Sequence, residues 1–497
     1  MPRLFKPLPL LIFFTAIIFT VVAVLLVWSE DVARVSNAIS IHTPGELIRH
    51  AQRRLQGHNK LEAVALGPLS FIQAKVERPV KLETTPTLGK GQQRHALAQV
   101  QYLPNGQPVE AHSVRPAVQP SAVPADLFVS TSDDIVRALN TATAGQTIQI
   151  APGRYVISRR VDTRFAGNNA QPITVRASQP GEVTIEFNTL EGFYVSQPFW
   201  VFENLHIRGI CKQHGNCEHA FHIVGKASST VVRNNLIEDF NSHIKVNGAR
   251  GVWPDDGLLQ YNTFTNRTRR ETGAPVTLID IVAGSRWHLS DNLVSNFVKA
   301  HGNQISFGLF MKGGGNGGRI ERNLIICTPQ NISQPGSRVG LSFGGGRTGK
   351  AYCRDQRCDF EHTAGMAANN IVAHCNDFGI DVNRSSNVLI AHNTVINTAG
   401  IDVRGNSSAV RVYANLLDGR IRQRNGSEMK IDMNEVVTMA EVLAGPDLLQ
   451  LEWLNLPGNI PSLAIVPKDF CGQPRADGTL PGAMTNHTEC LARHAQP

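Results

Sequence analysis

The sequence predicts an all-β solenoid, and two observations carry that expectation. Between Phe193 and Gly426, short runs recur in which an aliphatic or aromatic residue alternates with a polar one. Alternation with a period of two marks strands. A turn and a second apolar run then lead to an asparagine, at Asn204, Asn235, Asn262, Asn292, Asn323, Asn370, Asn393 and Asn415. Repeats at intervals of about 20–50 residues indicate stacked units that share one core. The clearest copies are 379–393 and 400–415. A sandwich with evenly spaced strands would not require asparagine at one position of every repeat.

Bulk composition narrows the partners. The formal net charge of +8 and an isoelectric point near 9.1 favour acidic ones. No zinc knuckle or RNA-binding signature is present, which sets nucleic acid aside. An acidic polysaccharide or an anionic membrane surface remains. There are eight cysteines, with close pairs at Cys211/Cys217 and Cys353/Cys358. In an exported protein such pairs read as disulfides that pin loops, and neither has the CxxC spacing of a metal site.

At the N-terminus, Leu8–Trp28 carries no charge, follows Arg3 and Lys6, and precedes Glu30 and Asp31. About 20 apolar residues span a bilayer, and flanking basic residues stay inside. The expectation is an uncleaved anchor, giving a single-pass cell-membrane protein with its main domain outside. A cleaved signal peptide is the alternative. Residues 45–60 could form a basic amphipathic helix, and 84–124, rich in Pro, Gln, Gly and Thr, reads as a linker. The expected division is therefore an anchor (1–28), a stalk and linker (29–125), a solenoid domain (126–483, regular repeats 193–426) and a tail (484–497).

The solenoid opens with a helix. Ser132 is a plausible N-cap, and Ile135, Val136, Leu139 and Ala142 form one apolar face. A helix in front of the first repeat would cover the exposed end of the stack. After it, Gly145-Gln-Thr-Ile-Gln-Ile-Ala-Pro-Gly153 reads as a strand running into a turn, with a second short strand around Tyr155. Residues 434–443 read as a second short helical run, followed by Asp469-Phe-Cys-Gly-Gln-Pro-Arg475 and Pro481-Gly-Ala483. Together, the opening helix with its Gly-Gln-Thr-Ile-x-Ile-Ala-Pro-Gly-x-Tyr phrase, the asparagine-ending repeats and this closing motif resemble right-handed parallel β-helix proteins of the pectate-lyase type. In layout the chain is most similar to the chondroitinase B and alginate lyase group. The resemblance implies the fold and leaves the reaction open, because this architecture carries lyases, hydrolases, epimerases and adhesins.

Stacking the strands by register puts Tyr194, His222, Lys245, Asp280, Phe310, Ser342, Asp381 and Asp402 in one outward column. Ser196, Val224, Asn247, Val282, Lys312, Gly344, Asn383 and Arg404 form a second. By the same parity His243 faces out beside Lys245. The asparagines read as structural. In β-helix lyases and hydrolases the substrate lies on such a face. A Lys whose amine is made less basic by nearby cations can remove the C5 proton of a uronic acid, provided a cation neutralises the carboxylate. The candidates for this chemistry are Lys245 and His243, with Arg286 and Lys312. Ca²⁺ held by Asp255, Asp256 and Asp280 is a further candidate cation. His222, Trp253, Trp287, Asp381, Asp402 and Arg404 are candidate substrate contacts. The chain lacks the Lys-Ser dipeptide after an acidic strand where the resembled lyases keep their base, so only the type of site carries over. Hydrolysis by paired carboxylates, C5 epimerisation and a non-catalytic binding or envelope scaffold remain alternatives. Inter-coil salt bridging explains each outward charge equally well. The Gly-rich stretches 312–318 and 342–348 lack the strand–loop–helix setting of a phosphate loop.

Overall fold

The computed structural model describes residues 101–102, 108–109, 124–328, 334–437 and 460–485. Among these, three long parallel sheets of 12, 11 and 10 strands stack along one axis; we label them A, B and C. Each turn of the chain gives one strand to each sheet in order. Trp200–Glu203, His206–Gly209 and His219–Val224 make one coil; Val231–Arg233, Leu236–Glu238 and Ser242–Asn247 make the next. This is a parallel β-helix. Its interior is aliphatic and aromatic, with Phe193 stacked on Phe221 at 5.1 Å and Phe202 edge-on to Phe221 at 5.0 Å.

The turn from sheet A to sheet B explains the asparagines. It is two residues long, and its first residue has positive φ, as at Asn234 (58°), Asp291 (60°) and His392 (53°). The second residue is a buried asparagine whose Oδ1 accepts from both the backbone N–H and the Nδ2 of the asparagine one coil earlier. Asn292 gives Asn323 such bonds of 3.0 and 2.9 Å, and Asn323 gives Asn370 bonds of 2.9 and 2.9 Å. Buried amides are thereby satisfied without water. The ladder runs from Asn235 to Asn434. Asn204 is not in it: the ladder position of that coil is Leu205, whose N–H donates to Asn235, and Asn204 takes the positive-φ position instead (64°).

Helix α1 (Ser132–Thr141) buries Ile135, Val136, Ala138 and Leu139. It touches the first strand of each of the three sheets. Its N-cap is Thr131, one residue before the expected Ser132, and the Thr131 hydroxyl accepts from the Asp134 N–H at 3.1 Å. In place of the helical run expected at 434–443, Glu435–Val436 is a strand paired with Leu416–Leu417, and residues beyond 437 lie outside the description until 460. Residues 460–485 pack Phe470 and Ala483 on Leu324, Ile326 and Ile371. Arg475 locks this segment: its guanidinium donates to Asn369 Oδ1 (2.7 Å) and to the carbonyls of Gly482 and Ala483 (2.8 and 2.9 Å). Disulfides join Cys211–Cys217 and Cys353–Cys358, as expected, and also Cys327–Cys375.

The membrane placement needs correction. Among the described residues no helix is long and apolar enough to cross a membrane, which overturns the single-pass cell-membrane localisation expected from Leu8–Trp28. That segment itself, the 45–60 helix and most of the 84–124 linker lie outside the described residues.

Candidate active site on the outer face of sheet C

Sheet C carries the outward column in the register the sequence implied. Tyr194 pairs with His222, His222 with Lys245, Lys245 with Asp280, Asp280 with Phe310, Phe310 with Ser342, Ser342 with Asp381, and Asp381 with Asp402. Stacked strands lie about 4.8 Å apart, so each side chain reaches its neighbours above and below.

At the centre, Lys245 Nζ lies 2.7 Å from Asp280 Oδ2. Lys312, in the adjoining column one coil beyond Asp280, rests its amine 4.5 Å from the centre of the Phe310 ring. Burial lowers the basicity of the Lys312 amine; Asp280 opposes this and Lys245 reinforces it. Among the described residues, no carboxylate is within ion-pairing distance of Lys312. Val282, Ala283 and Phe310 form a small apolar patch here, with Phe307 and the half-buried Trp253 against it. Trp253 also lies 4.9 Å beneath the Arg354 guanidinium.

Several sequence expectations do not survive the geometry. His243 is wholly buried and faces the core, between Phe240 and Phe264. Desolvation pushes its pKa down to about 3, which removes it as a partner of Lys245. The cause lies at the entry to sheet C, where two consecutive residues turn inward: Ala220 and Phe221, His243 and Ile244, Leu278 and Ile279. The backbone register passes over the first of each pair. Trp287 is also fully buried, its Nε1–H donating to the Pro254 carbonyl at 2.8 Å, so it cannot stack on a sugar. Asp381 and Asp402 are fully buried beneath Arg404 and Arg424 (2.7 and 2.8 Å) and do not present their carboxylates. Arg404 and Arg424 are the parts of that group that reach the surface.

The three aspartates expected to hold Ca²⁺ have other partners. Asp256 accepts from Arg286 at 2.6 Å, Asp255 from Arg354 at 2.7 Å, and Asp280 from Lys245. Burial opposes ionisation of Asp255, but hydrogen bonds from Arg354 and Ser285 outweigh it and hold the carboxyl below its usual range. Arg286 is likewise committed to this cluster on the turn after Val276–Val282.

The group of donors that could hold a metal lies elsewhere. Among the described residues it is Glu191, His219 and His222, whose ligand atoms all lie within 4.8 Å of one another. The inward pairs bring it together: Gly192 and Ala220 turn in with the residue after each, so Glu191 and His219, which precede them, lie on the outer face as register partners. Strict alternation assigns them no column. The small residues Gly192, Ala220, Gly308 and Gly340, one per strand just before the aromatic or aliphatic position, were the available signal. His222 Nδ1 stands 2.6 Å from Glu191 Oε1, and Nε2 2.7 Å from Asn247 Oδ1. The hydrogen bond with His222 leads the effects that hold Glu191 below its usual pKa, while burial takes His219 down to about 4. Arg160 stacks 4.1 Å from the Tyr194 ring and reaches Glu191 Oε2 at 3.3 Å.

No protein-family model matches the chain, and no curated protein matches it in sequence. Among solved structures, the chain is similar to the pectate lyase Pel9A, with 12% identity, a TM-score of 0.39 and coverage of 74% of this chain and 91% of that one. An alginate lyase from Paenibacillus sp. str. FPU-7 gives 12%, 0.36, and 63% and 100%. The complex of XylC with xylose gives 12%, 0.44, and 60% and 69%. Likeness of this degree assigns no role to any residue.

Proposed function

We propose that this chain is a carbohydrate-active enzyme that cleaves an acidic, uronate-containing polysaccharide by β-elimination on the outer face of sheet C, within residues 126–483. The observation that carries the reading is the Lys245–Asp280–Lys312 group, in which one amine is paired with a carboxylate and its neighbour is desolvated and unpaired. β-Elimination at a uronate needs a base toward C5 and a positive charge on the carboxylate, and two lysines can divide these roles. One must lose its proton to become a base toward C5; the other must keep its charge and bind the carboxylate. Lys312 suits the first role, since burial, aided by Lys245, makes its amine less basic against the opposing carboxylates of Asp280 and Glu361. Lys245, fixed in place by Asp280, suits the second. The expected roles of these two lysines are thus exchanged. Phe310, Phe307 and Trp253 offer an apolar floor for sugar rings, and the net positive charge favours an anionic chain.

Incubating the full chain with alginate, pectate and glycosaminoglycans, and following the ultraviolet absorbance of unsaturated uronate ends, tests the reading. New reducing ends without that absorbance would indicate hydrolysis instead. Binding without either product would indicate a scaffold.

A further inference from the structure

We propose that Glu191, His219 and His222 form a binding site for a divalent transition metal of the zinc class. Two imidazoles and one carboxylate on adjacent coils of a rigid sheet match the donor set of open, three-ligand zinc sites, which leave a fourth position for water or substrate. Calcium prefers six to eight oxygens and is disfavoured by two nitrogen ligands.

His222 and Glu191 are each held by a second group through the atom that does not face the cluster. Asn247 Oδ1 occupies Nε2 of His222, which leaves Nδ1 toward Glu191. A carbonyl on the far ring nitrogen is the usual partner of a metal-bound histidine. Arg160 engages Oε2 of Glu191 and leaves Oε1 toward His222. His219 Nδ1 is buried and has no hydrogen-bond partner, an arrangement that costs free energy unless something binds there. The nearby cations Arg160 and Lys245 are balanced by Asp162 and Asp280. His222 is the register neighbour of Lys245, so a metal here would lie beside the lysine row. Any part it plays toward a uronate rests on the proposed reaction; metal binding itself does not.

The test is calorimetric titration of metal-stripped, tag-free full chain with Zn²⁺, with Ca²⁺ in parallel and Co²⁺ as a spectroscopic probe. The expected result is one Zn²⁺ per chain, visible Co²⁺ ligand-field bands, and no comparable Ca²⁺ binding. His219→Gln and Glu191→Gln should abolish binding, and Asn247→Ala should weaken it about 10–100-fold. Wild-type protein that takes up neither Zn²⁺ nor Co²⁺ would overturn the proposal, whatever the variants do. So would uptake unchanged in both His219→Gln and Glu191→Gln. Lyase activity that persists in chain shown to bind no metal would leave the proposed reaction standing and the metal site refuted. Metal binding without lyase activity would do the reverse.

Discussion

His219 stands over Glu191 as its direct register partner in sheet C, and the residues that follow them, Ala220 and Gly192, both turn into the core. This departure from alternation places two chemically active side chains beside His222 and removes His243 from the same face. A Cβ on Gly192 would meet the Phe187 ring at 2.9 Å, so the inward position accepts little there. Gly192→Leu should therefore disturb the entry to the strand and destabilise the fold by about 1–3 kcal/mol, the usual cost of overpacking. A urea titration showing no change would contradict this geometry.

The asparagine ladder predicts unequal costs at residues that look alike in the sequence. Asn323→Ala removes an acceptor used twice by Asn292 and a donor to Leu289, Glu321 and Asn370. Leaving buried backbone and amide groups unpaired costs about 1–3 kcal/mol each, so the total should exceed about 3 kcal/mol. Asn204→Gly removes an acceptor of Asn234 but suits a positive-φ position, so it should cost less, about 1–3 kcal/mol. Equal midpoints in chemical denaturation would rule the distinction out.

Acid should weaken the fold through its buried histidines. Burial holds His243, His362 and His392 at about 3, against a usual 6.5. Between those values the unfolded chain binds protons that the folded chain refuses. Stability is therefore full above the usual value and falls as the pH drops below it, by up to about 1.4 kcal/mol per pH unit for each group. Unfolding free energies at about pH 7.5 and about pH 5 should differ in that direction. A flat profile would mean that these imidazoles protonate in place.

The two tryptophans singled out by the sequence should behave differently. Trp287, fully buried, should cost about 3–5 kcal/mol on replacement by alanine. Trp253, half-buried at the edge of the apolar patch, should cost less and act mainly on polysaccharide affinity. Affinity electrophoresis alongside thermal melts separates the two effects.

Much of this was legible because stacking is a one-dimensional problem. Once strands such as Ile244-Lys-Val-Asn247 and Ile279-Asp-Ile-Val282 are aligned, alternation fixes which side chains face out, and the column from Tyr194 to Asp402 follows. Alternation fails where two residues turn inward together, and that displaced His243 and hid Glu191 and His219. It also says nothing about which outward charge a neighbour covers, so Asp381 and Asp402 look available until Arg404 and Arg424 lie over them. Asn204 was misplaced by one position because Glu203-Asn-Leu205 and Arg233-Asn-Asn235 share their first asparagine, and only the second is in the ladder.

The central claim is that the desolvated amine of Lys312 removes a proton from a uronate while Lys245 holds the carboxylate. The most direct measurement is the rate of unsaturated-product formation by wild type, Lys312→Arg and Lys312→Ala on the polyuronate that wild type cleaves. General-base catalysis contributes about 10²–10⁴-fold, so both variants should lose at least a hundredfold in kcat while retaining polysaccharide binding. Lys312→Ala at wild-type kcat, or no unsaturated product from wild type on any polyuronate, would contradict it.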